Sequence, residues 1–323
     1  GVVRGGQHVG AAEHRHRIGI GRELLALGSA RRRAVATVQG DRVGAAVFVA
    51  MVVLQAQAVP LAGQHPGPRA VPADMERPAI FGFINTLEEV LKKENPSHIA
   101  VAFDPAGPTF RHEAYEKYKA QRQETPEDIR IAVPIIKEII SAYNIKILEI
   151  AGFEADDVIG TVAKQAEKED MDVYMMTPDK DYGQLTSERI FMYKPKFAGN
   201  GFDILDSKAI MEKYNLSSPL LMIDLLGLMG DASDNIPGCP GVGAKTAEKL
   251  ISDYGIIENI LENTSKIKGT LKDKLETNKE QILFSKFLAT IKIDVPFDFK
   301  KEEATTSVSA TFSGPFVGGS VSF

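Results

Sequence analysis

The sequence of 323 residues has no tryptophan and a single cysteine, Cys239. A lone cysteine excludes an internal disulfide framework and fits a reducing compartment, so we expect a cytoplasmic protein. Long apolar runs are also lacking: the longest, at 43–54, is too short to span a bilayer. It lies too far from the N-terminus for an ordinary signal peptide, and we expect no membrane contact. The net charge of −5 argues only weakly against a nucleic-acid partner, because clustered acidic metal ligands can offset a basic face.

The first 76 residues contain no lysine, asparagine or tyrosine. Arginine carries the positive charge in this segment, whereas lysine predominates from Lys92 onward. A change of reading frame, strand or source would produce such a shift. We interpret residues 1–76 as a foreign or mistranslated extension that packs poorly or is disordered. The alternative is a genuine N-terminal domain of unusual composition.

From residue 77 onward, predicted helices alternate with short apolar strands. The strands are predicted at 98–103, 146–150, 172–176 and 189–193, and the helices at 80–91, 127–143 and 154–169. This alternation predicts an α/β fold with a mostly parallel sheet flanked by helices. The residues predicted to face inward from the helix at 127–143 are Ile131, Ile135, Ile139 and Ile140.

The pattern changes at residue 217. Residues 217–298 are predicted to be wholly helical, with the last helix at 272–290. The tail at 299–323 is rich in serine, threonine and glycine, and we predict that it is disordered. The sequence therefore predicts an α/β domain at 77–216, an all-α subdomain at 217–298 and a low-complexity tail.

Acidic residues follow several of the predicted strands. The densest group, at 154–157, carries three carboxylates at a helix start, where the helix dipole alone would explain one or two. Ligands of open α/β sheets bind outside the carboxyl ends of the strands, so the acidic groups are expected to converge. Converging carboxylates repel each other unless hard divalent cations such as Mg²⁺ or Mn²⁺ lie among them. The predicted metal ligands are Asp104, Glu154, Asp156, Asp157, Asp179, Asp181, Asp231 and Asp234.

A glycine-rich turn at 236–247 follows one predicted helix and opens another. Such a turn lets backbone N–H groups approach a phosphate, and the helix start adds a favourable dipole. The turn lacks the Walker spacing, so a nucleotide-triphosphate loop is not expected. Any helix–turn–helix could contain such a turn, but the acidic residues just upstream make the pattern more specific for binding of a DNA backbone. The predicted DNA-binding residues are Gly238, Gly241, Val242, Gly243, Lys245 and Thr246.

Over residues 80–298 the chain resembles the flap endonuclease (5′ nuclease) family, which includes the 5′→3′ exonuclease domain of bacterial DNA polymerase I. The motifs that carry this resemblance occur in the family's order, at 101–104, 110–113, 118–122, 152–157, 179–181 and 230–235. The resemblance implies a PIN-like, resolvase-like α/β domain with a helical arch at about 105–135. It also implies a helix–three-turn–helix subdomain of the helix-hairpin-helix type, often built around a K⁺ ion.

The resemblance also implies the roles of the site residues. Asp104, Glu154, Asp156 and Asp157 would form one metal position, and Asp179, Asp181, Asp231 and Asp234 a second, for two-metal phosphodiester hydrolysis. Arg111, Lys119 and Arg122 would hold the scissile phosphate from the arch. The implied function is a monomeric 5′-3′ exonuclease and flap endonuclease, which acts on DNA flaps, nicks and RNA primers during replication and repair.

Three residues of the arch keep more than one interpretation. Tyr115 and Tyr118 could stack on an unpaired base, or they could pack within the arch. His112 could be read as a catalytic base, but we favour a structural or phosphate-facing role, because metal-bound hydroxide makes an imidazole base unnecessary.

One family element has no match in the sequence. The family begins with a buried central strand that ends in Asp-Gly, whereas Asp41 precedes its apolar run and Asp74 lies too close to the helix at 80–91. We therefore expect one strand and one metal ligand to be missing, with weakened metal and DNA binding and strongly reduced catalysis. The alternatives are a DNA-binding remnant with little activity and a related metal-dependent RNase, although such an RNase would not need the duplex grip.

Overall fold

A computed structural model describes residues 46–51, 77–196, 201–297, 300–304, 309–314 and 317–322. All of them belong to one compact unit, which begins at residue 45. The interpretation of the remaining N-terminal residues lies outside this described part. None of the described helices is both long enough and apolar enough to cross a bilayer.

A six-stranded sheet forms the centre of the unit. Its strands are β1 (Ala46–Met51), β2 (His98–Ala102), β3 (Lys146–Leu148), β4 (Asp172–Met176), β5 (Ile190–Pro195) and β6 (Phe202–Leu205). Their order is β3-β2-β1-β4-β5-β6, with the first five strands parallel and β6 antiparallel to β5. The predicted mostly parallel sheet is confirmed, and β6 was missed.

The strand that was expected to be missing is present at the middle of the sheet. β1 lies between β2 and β4, with Val47 opposite His98 and Ala46 opposite Asp172. The expectation was wrong because the apolar run at 43–54 was rejected as a strand for lack of the Asp-Gly that ends the family's first strand. Continuous apolar sequence is what a central parallel strand needs, since both of its faces are covered.

Helices cover both faces of the sheet. They are α1 (Arg77–Glu94), α2 (Phe110–Ala114), α3 (Glu127–Ala142), α4 (Ala155–Lys168) and α5 (Ser207–Tyr214). Successive residues of β2 point to opposite faces: Ala100 belongs to the core under α4, and Val101 to the core under α1 and α3. Because the first five strands are parallel, their carboxyl ends lie at the same edge of the sheet.

The predicted inward face of α3 was right for Ile139 and Ile140 and wrong for Ile131 and Ile135. Ile131 and Ile135 are exposed, whereas Ile136 and Ile140 are fully buried. The helix contains isoleucine on several sides, so periodicity alone did not fix its rotation. Packing against α1 selects the stripe that is buried.

The second half of the chain forms a helical subdomain with its own core. Its helices are α6 (Leu221–Met229), α7 (Ala244–Tyr254), α8 (Ile257–Glu262), α9 (Thr270–Thr277) and α10 (Lys279–Ala289). The single helix predicted at 272–290 is two helices, which meet at Asn278. The tail was predicted to be disordered, and this was wrong for its described part: β7 (Ser309–Gly314) and β8 (Val317–Ser322) form an antiparallel pair.

Candidate metal and nucleic-acid site

Four local structures carry the acidic residues to one region. Asp104 follows β2 by two residues, and Glu154 is the N-cap of α4 after β3. Asp179 follows β4 and caps the 3₁₀ helix Lys180–Leu185, accepting a hydrogen bond from the Asp181 N–H at 3.0 Å. Asp231 directly follows the helix cap Gly230 at the end of α6. The predicted convergence at the carboxyl edge therefore has a structural basis.

The first group of carboxylates gathers at the start of α4. Ligand oxygens of Glu154, Asp156 and Asp157 all lie within 4.8 Å of one another. Asp104 is tied to the same helix start, because its Oδ1 accepts a hydrogen bond of 2.8 Å from the backbone N–H of Ala155. Four of the eight predicted ligands are thus brought together by one helix terminus.

The second group is joined to the first through one tyrosine. The Tyr118 hydroxyl lies 2.9 Å from Glu154 Oε2 and 3.3 Å from Asp234 Oδ2. The Ser233 hydroxyl lies in turn 2.6 Å from Asp231 Oδ1 and 3.4 Å from Asp234 Oδ1. Burial raises the pKa of Tyr118, and the neighbouring Glu154 carboxylate adds to the rise, so the hydroxyl stays a donor. Sequence reasoning offered Tyr118 for stacking or packing and missed this bridge.

Two lysines already carry positive charge into the cluster. The Lys119 ammonium pairs with Glu154 and lies 3.8 Å from Asp234 Oδ2. The Lys180 ammonium pairs with Asp231 and lies 3.5 Å from Asp181 Oδ1. Lys180 was not predicted as a site residue, although its place between two acids was a signal. The carboxylate charge therefore draws cations from the chain itself.

Two buried carboxylate oxygens have no hydrogen-bond partner among the described residues, and there is one in each group. They are Asp156 Oδ1 and Asp181 Oδ1. Burial raises the pKa of Asp156 well above its ordinary value, and Asp157 and Glu154 add to the rise against the opposing charge of Arg111. Burial, with help from Asp179, raises the pKa of Asp181 to about 7. Buried carboxylate oxygens that accept no hydrogen bond suit a divalent cation.

The buried side chain of Arg111 joins several segments of the chain, and we call it the clamp. Its side chain is 1% exposed, and its Nη1 and Nη2 atoms donate hydrogen bonds of 2.8 Å to the two carboxylate oxygens of Asp157. Nη1 also donates to Glu154 at 3.0 Å, while Nε and Nη2 donate to the carbonyls of Leu288 and Thr290. A guanidinium has five N–H donors, and all five are used. The phosphate role predicted for Arg111 finds no free donor in this geometry.

Asp157 is the matching acceptor. Besides the two bonds from Arg111, its oxygens accept from the backbone N–H of Glu154 at 3.1 Å and from that of Lys292 at 2.8 Å. Four bonds fill the acceptor sites of a carboxylate. Direct metal ligation by Asp157 would need one of these bonds to break, so the geometry favours a positioning role for Asp157 beside the predicted ligands Glu154 and Asp156.

The arch segment at 115–122 is docked on the loop at 231–235. The backbone N–H of Lys119 donates to the Asp234 carbonyl at 3.0 Å, and Gln121 Nε2 donates to the Ala232 carbonyl at 2.8 Å. Arg122, half exposed, pairs with Asp234. Lys119 and Arg122 thus lie at the cluster as predicted, but their cationic groups face carboxylates.

The other arch residues pack within the protein. Tyr115 contacts Phe284 edge-on, with ring centroids 5.6 Å apart. His112 Nδ1 lies 2.8 Å from the Thr109 hydroxyl at the start of α2, and its ring lies edge-on to Tyr118. These contacts favour packing for both tyrosines and a structural role for His112.

The glycine turn divides into a docked half and an exposed half. Gly238 is buried: its N–H donates to the Ser285 hydroxyl at 3.0 Å, and its carbonyl accepts from Gln281 at 2.8 Å. A Cβ on Gly238, at a φ of 59°, would collide with the backbone of Gly230. Val242 is buried in the helical core. The structure therefore places Gly238 and Val242 inward, away from a DNA backbone.

The exposed half presents Gly241, Gly243 and Lys245, with Thr246 partly buried beside them at the start of α7. A lysine of α9, Lys274, adds to this surface, because a Cβ on Gly241 would collide with the Lys274 ammonium. No carboxylate within the described ranges forms an ion pair with Lys274. Lys274 was not among the residues predicted to bind DNA.

Two family models match this chain. The 5′-3′ exonuclease N-terminal resolvase-like domain matches residues 65–215, and the 5′-3′ exonuclease C-terminal SAM fold matches residues 217–311. The chain belongs to the 5′-3′ exonuclease family. This confirms the resemblance and the two-part fold predicted from the sequence.

Relatives and solved structures agree with this membership. The chain is 42% identical over 226 residues to DNA polymerase I of Bacillus caldotenax, a match that covers 70% of the chain and 26% of that protein. DNA polymerase I of Bacillus subtilis (strain 168) is also 42% identical, over 68% of the chain and 25% of that protein. The chain thus spans about a quarter of the length of these relatives.

Structures of phage T5 enzymes share the fold of this exonuclease-family chain. The T5 5′-exonuclease with bound zinc aligns with a TM-score of 0.56 at 21% identity, over 67% of the chain and 82% of the T5 chain. The T5 flap endonuclease in complex with DNA and metal ions aligns with a TM-score of 0.58 at 18% identity, over 76% and 88%.

Replacing Arg111 should destabilise the fold strongly. In Arg111→Ala the buried Asp157 carboxylate loses its charge partner, and we expect the free energy of unfolding to fall by about 3–5 kcal/mol in urea titrations. Arg122→Ala removes an ion pair that is half exposed, so it should cost less than about 1 kcal/mol. Equal losses for the two variants would contradict the clamp.

Asp181 should make the metal-free protein less stable as the pH rises. Folded Asp181 keeps its proton up to about pH 7, whereas an unfolded aspartate releases it at about pH 4. Between those values the folded state binds more protons, so the free energy of unfolding falls with rising pH. The lowered pKa values of Glu154 and Asp231 act only below this window.

In a chelating buffer, Asp181→Asn should melt at a higher temperature than the parent above about pH 7, with a shallower pH dependence of Tm. The control is Asp170→Asn, at an exposed carboxylate outside the cluster, which should follow the parent. A pH dependence that Asp181→Asn leaves unchanged would show that another group is responsible.

Proposed function

We propose that this chain is a metal-dependent 5′ nuclease that hydrolyses phosphodiester bonds of DNA at flaps and nicks. The observation that carries the proposal is the pair of unpartnered, buried carboxylate oxygens on Asp156 and Asp181, one in each half of a joined acidic cluster. Family membership supports the reaction class. Primer removal in replication and repair, and a cytoplasmic location beside the DNA, follow from the substrate.

The acidic groups fit two hard divalent cations, Mg²⁺ or Mn²⁺. Asp104, Glu154 and Asp156 would hold one ion, with Asp157 fixing their geometry through α4. Asp179, Asp181, Asp231 and Asp234 would hold the other. When bound, such ions lower the pKa of a water and stabilise the charge of an in-line attack on phosphorus.

The arch lysine and arginine would then serve the substrate. Lys119 and Arg122 now neutralise Glu154 and Asp234. Once divalent cations neutralise these carboxylates, the two side chains become free to contact the scissile phosphate and the charge that develops on it. Tyr118 keeps its hydroxyl between the two groups and so maintains their spacing.

The exposed half of the glycine turn would hold the duplex backbone. Gly241 and Gly243 allow a phosphate to approach the backbone, while Lys245 and Lys274 supply positive charge. Contacts of this kind are independent of sequence and weaken with salt. A K⁺ ion at the turn and a monomeric enzyme complete the proposal.

One carboxylate remains absent. No aspartate or glutamate occurs between Asp41 and Asp74, so none follows β1 closely. This absence favours the second candidate, a DNA-binding remnant with little catalysis.

The deciding experiment is cleavage of an end-labelled 5′-flap duplex in Mg²⁺ or Mn²⁺. We expect slow cleavage near the junction by the parent and none by Asp179→Ala.

The two candidate functions separate on these results. Cleavage by the parent that is abolished in Asp179→Ala supports the nuclease. Salt-sensitive binding by the parent without any metal-dependent cleavage supports the remnant. Cleavage that persists in Asp179→Ala would mean that the proposed second metal position is wrong.

Lys274 should contribute one phosphate contact to duplex binding. We expect Lys274→Ala to weaken binding to a duplex without a flap, and to reduce the slope of log affinity against log salt by about 1. Lys249→Ala is the matched control, because Lys249 is an exposed lysine further along α7. Identical salt slopes for the parent and both variants would remove Lys274 from the interface.

A further inference from the structure

Five aromatic rings form a continuous series of contacts along one side of the molecule. We call this series the aromatic ladder, and its members in order are Tyr115, Phe284, Phe287, Phe110 and Phe153. Successive ring centroids are 5.6, 6.0, 5.9 and 5.9 Å apart. Phe284 and Phe287 lie three residues apart on α10 and are stacked, with an interplanar angle of 20°.

The ladder lies directly beside the acidic cluster. Phe110 precedes the clamp residue Arg111, whose guanidinium carbon is 4.5 Å from the Phe110 ring centroid. Phe153 precedes Glu154, and the two chain segments are joined by a hydrogen bond of 3.0 Å from the Phe110 N–H to the Gly152 carbonyl. The ladder is therefore joined to the cluster through Arg111, which contacts both Phe110 and Glu154.

Phe153, Tyr115 and Phe284 pack against the hydrophobic cores, but the ladder is not wholly buried. Phe287, which contacts a ring on each side, is 42% exposed, and the other four rings are only partly buried. A hydrophobic cluster built for stability would bury the ring at its middle. Partly exposed aromatic surface beside a functional site is typical of a binding surface.

A positive charge accompanies the rings. The Lys292 ammonium lies 5.6 Å from the Phe110 centroid and 6.0 Å from the Phe153 centroid. Its carboxylate partner is Asp294, at 3.3 Å, and both side chains are exposed enough to separate. Aromatic faces with an adjacent cation match a strand of unpaired nucleotides, because bases stack on the rings while the cation attracts phosphates.

We propose that the aromatic ladder binds unpaired nucleotides of the substrate strand by stacking, with Phe287 as its principal exposed platform. The inference rests on the proposed function, because the ladder would deliver a single strand to the carboxylate cluster. It assigns this surface to the unpaired strand, whereas the glycine turn is assigned to the duplex. Stacking on rings is independent of base identity, so the ladder would accept any flap sequence.

The test compares two substrates in a chelating buffer, which prevents cleavage. One is a 5′-flap duplex with a fluorescent base analogue in the flap, and the other is the same nicked duplex without a flap. Phe287→Ala should weaken binding of the flap substrate by about tenfold and abolish the fluorescence quenching caused by stacking. Binding of the nicked duplex should stay within about twofold of the parent, since duplex contacts lie elsewhere.

Two further variants guard against misinterpretation. Phe287→Trp keeps a stacking face and should retain the affinity for the flap. Phe81→Ala removes an aromatic side chain that is 60% exposed on α1, outside the ladder, and should behave as the parent on both substrates. Agreement of all three variants with these expectations would establish the ladder.

The proposal is overturned if Phe287→Ala binds the flap substrate as tightly as the parent, or if it weakens both substrates equally. This failure is distinct from failure of the proposed function. If the parent cleaves flaps in Mg²⁺ and prefers the flap substrate while Phe287→Ala does the same, only the ladder is wrong. If the parent neither binds nor cleaves either substrate, both proposals fall.

Discussion

The structure depends on the buried ion pair between Arg111 and Asp157. Asp157 stands in the first turn of α4, and Arg111 stands on α2. The remaining donors of Arg111 reach the carbonyls of Leu288 and Thr290, at the end of α10. One side chain therefore joins α4, α2 and the helical subdomain. A buried charge without its partner is costly, so this arrangement fixes the three parts in one relative position.

The rest of the acidic cluster follows from that anchor. Because α4 begins where β3 ends, its first turn stands at the carboxyl edge of the sheet, beside Asp104 after β2 and Asp179 after β4. Fixing α4 thereby fixes Glu154 and Asp156 relative to both. The two oxygens that accept no hydrogen bond are then a consequence of geometry, because the eight carboxylates outnumber the cations of the chain that contact them, Arg111, Lys119, Arg122 and Lys180.

Much of this was predictable, because it depends on local pattern. Three carboxylates in four residues at a helix start, and acids directly after short apolar strands, predicted the cluster by the same rule that governs all open parallel sheets. Family motifs fixed the order of the elements. What pattern could not supply was the direction of side chains. Arg111 was taken for a phosphate ligand by its place in a motif, but whether a guanidinium faces solvent or fills a buried position is decided by tertiary contacts more than 40 residues away.

The same limit explains the errors in the fold. β1 was judged absent because no aspartate follows it. A central strand needs apolar residues on both faces to pair with its neighbours, and it does not need an aspartate. The run at 43–54 is apolar, and β1 pairs with both β2 and β4. The rotation of α3 was misjudged because isoleucine lies on several of its sides. Carboxylate chemistry and strand formation are thus separate requirements, which a family motif usually carries together.

That separation bears on how the site would work. A sheet that is complete but lacks one carboxylate holds the other ligands at their positions, so the loss falls on charge and coordination and leaves the scaffold intact. Lys119 already balances part of this charge, because its ammonium contacts Glu154. Its backbone has a φ of 54°, a region that non-glycine residues rarely adopt. A divalent cation at Glu154 would compete with that ammonium for the same oxygens. Removing a carboxylate from the cluster weakens the binding of a divalent cation more than it weakens the ion pair of Lys119, because a doubly charged ion needs several ligands at once. The chain is therefore expected to shift towards the lysine-paired arrangement, and a carboxylate after β1 would shift it back.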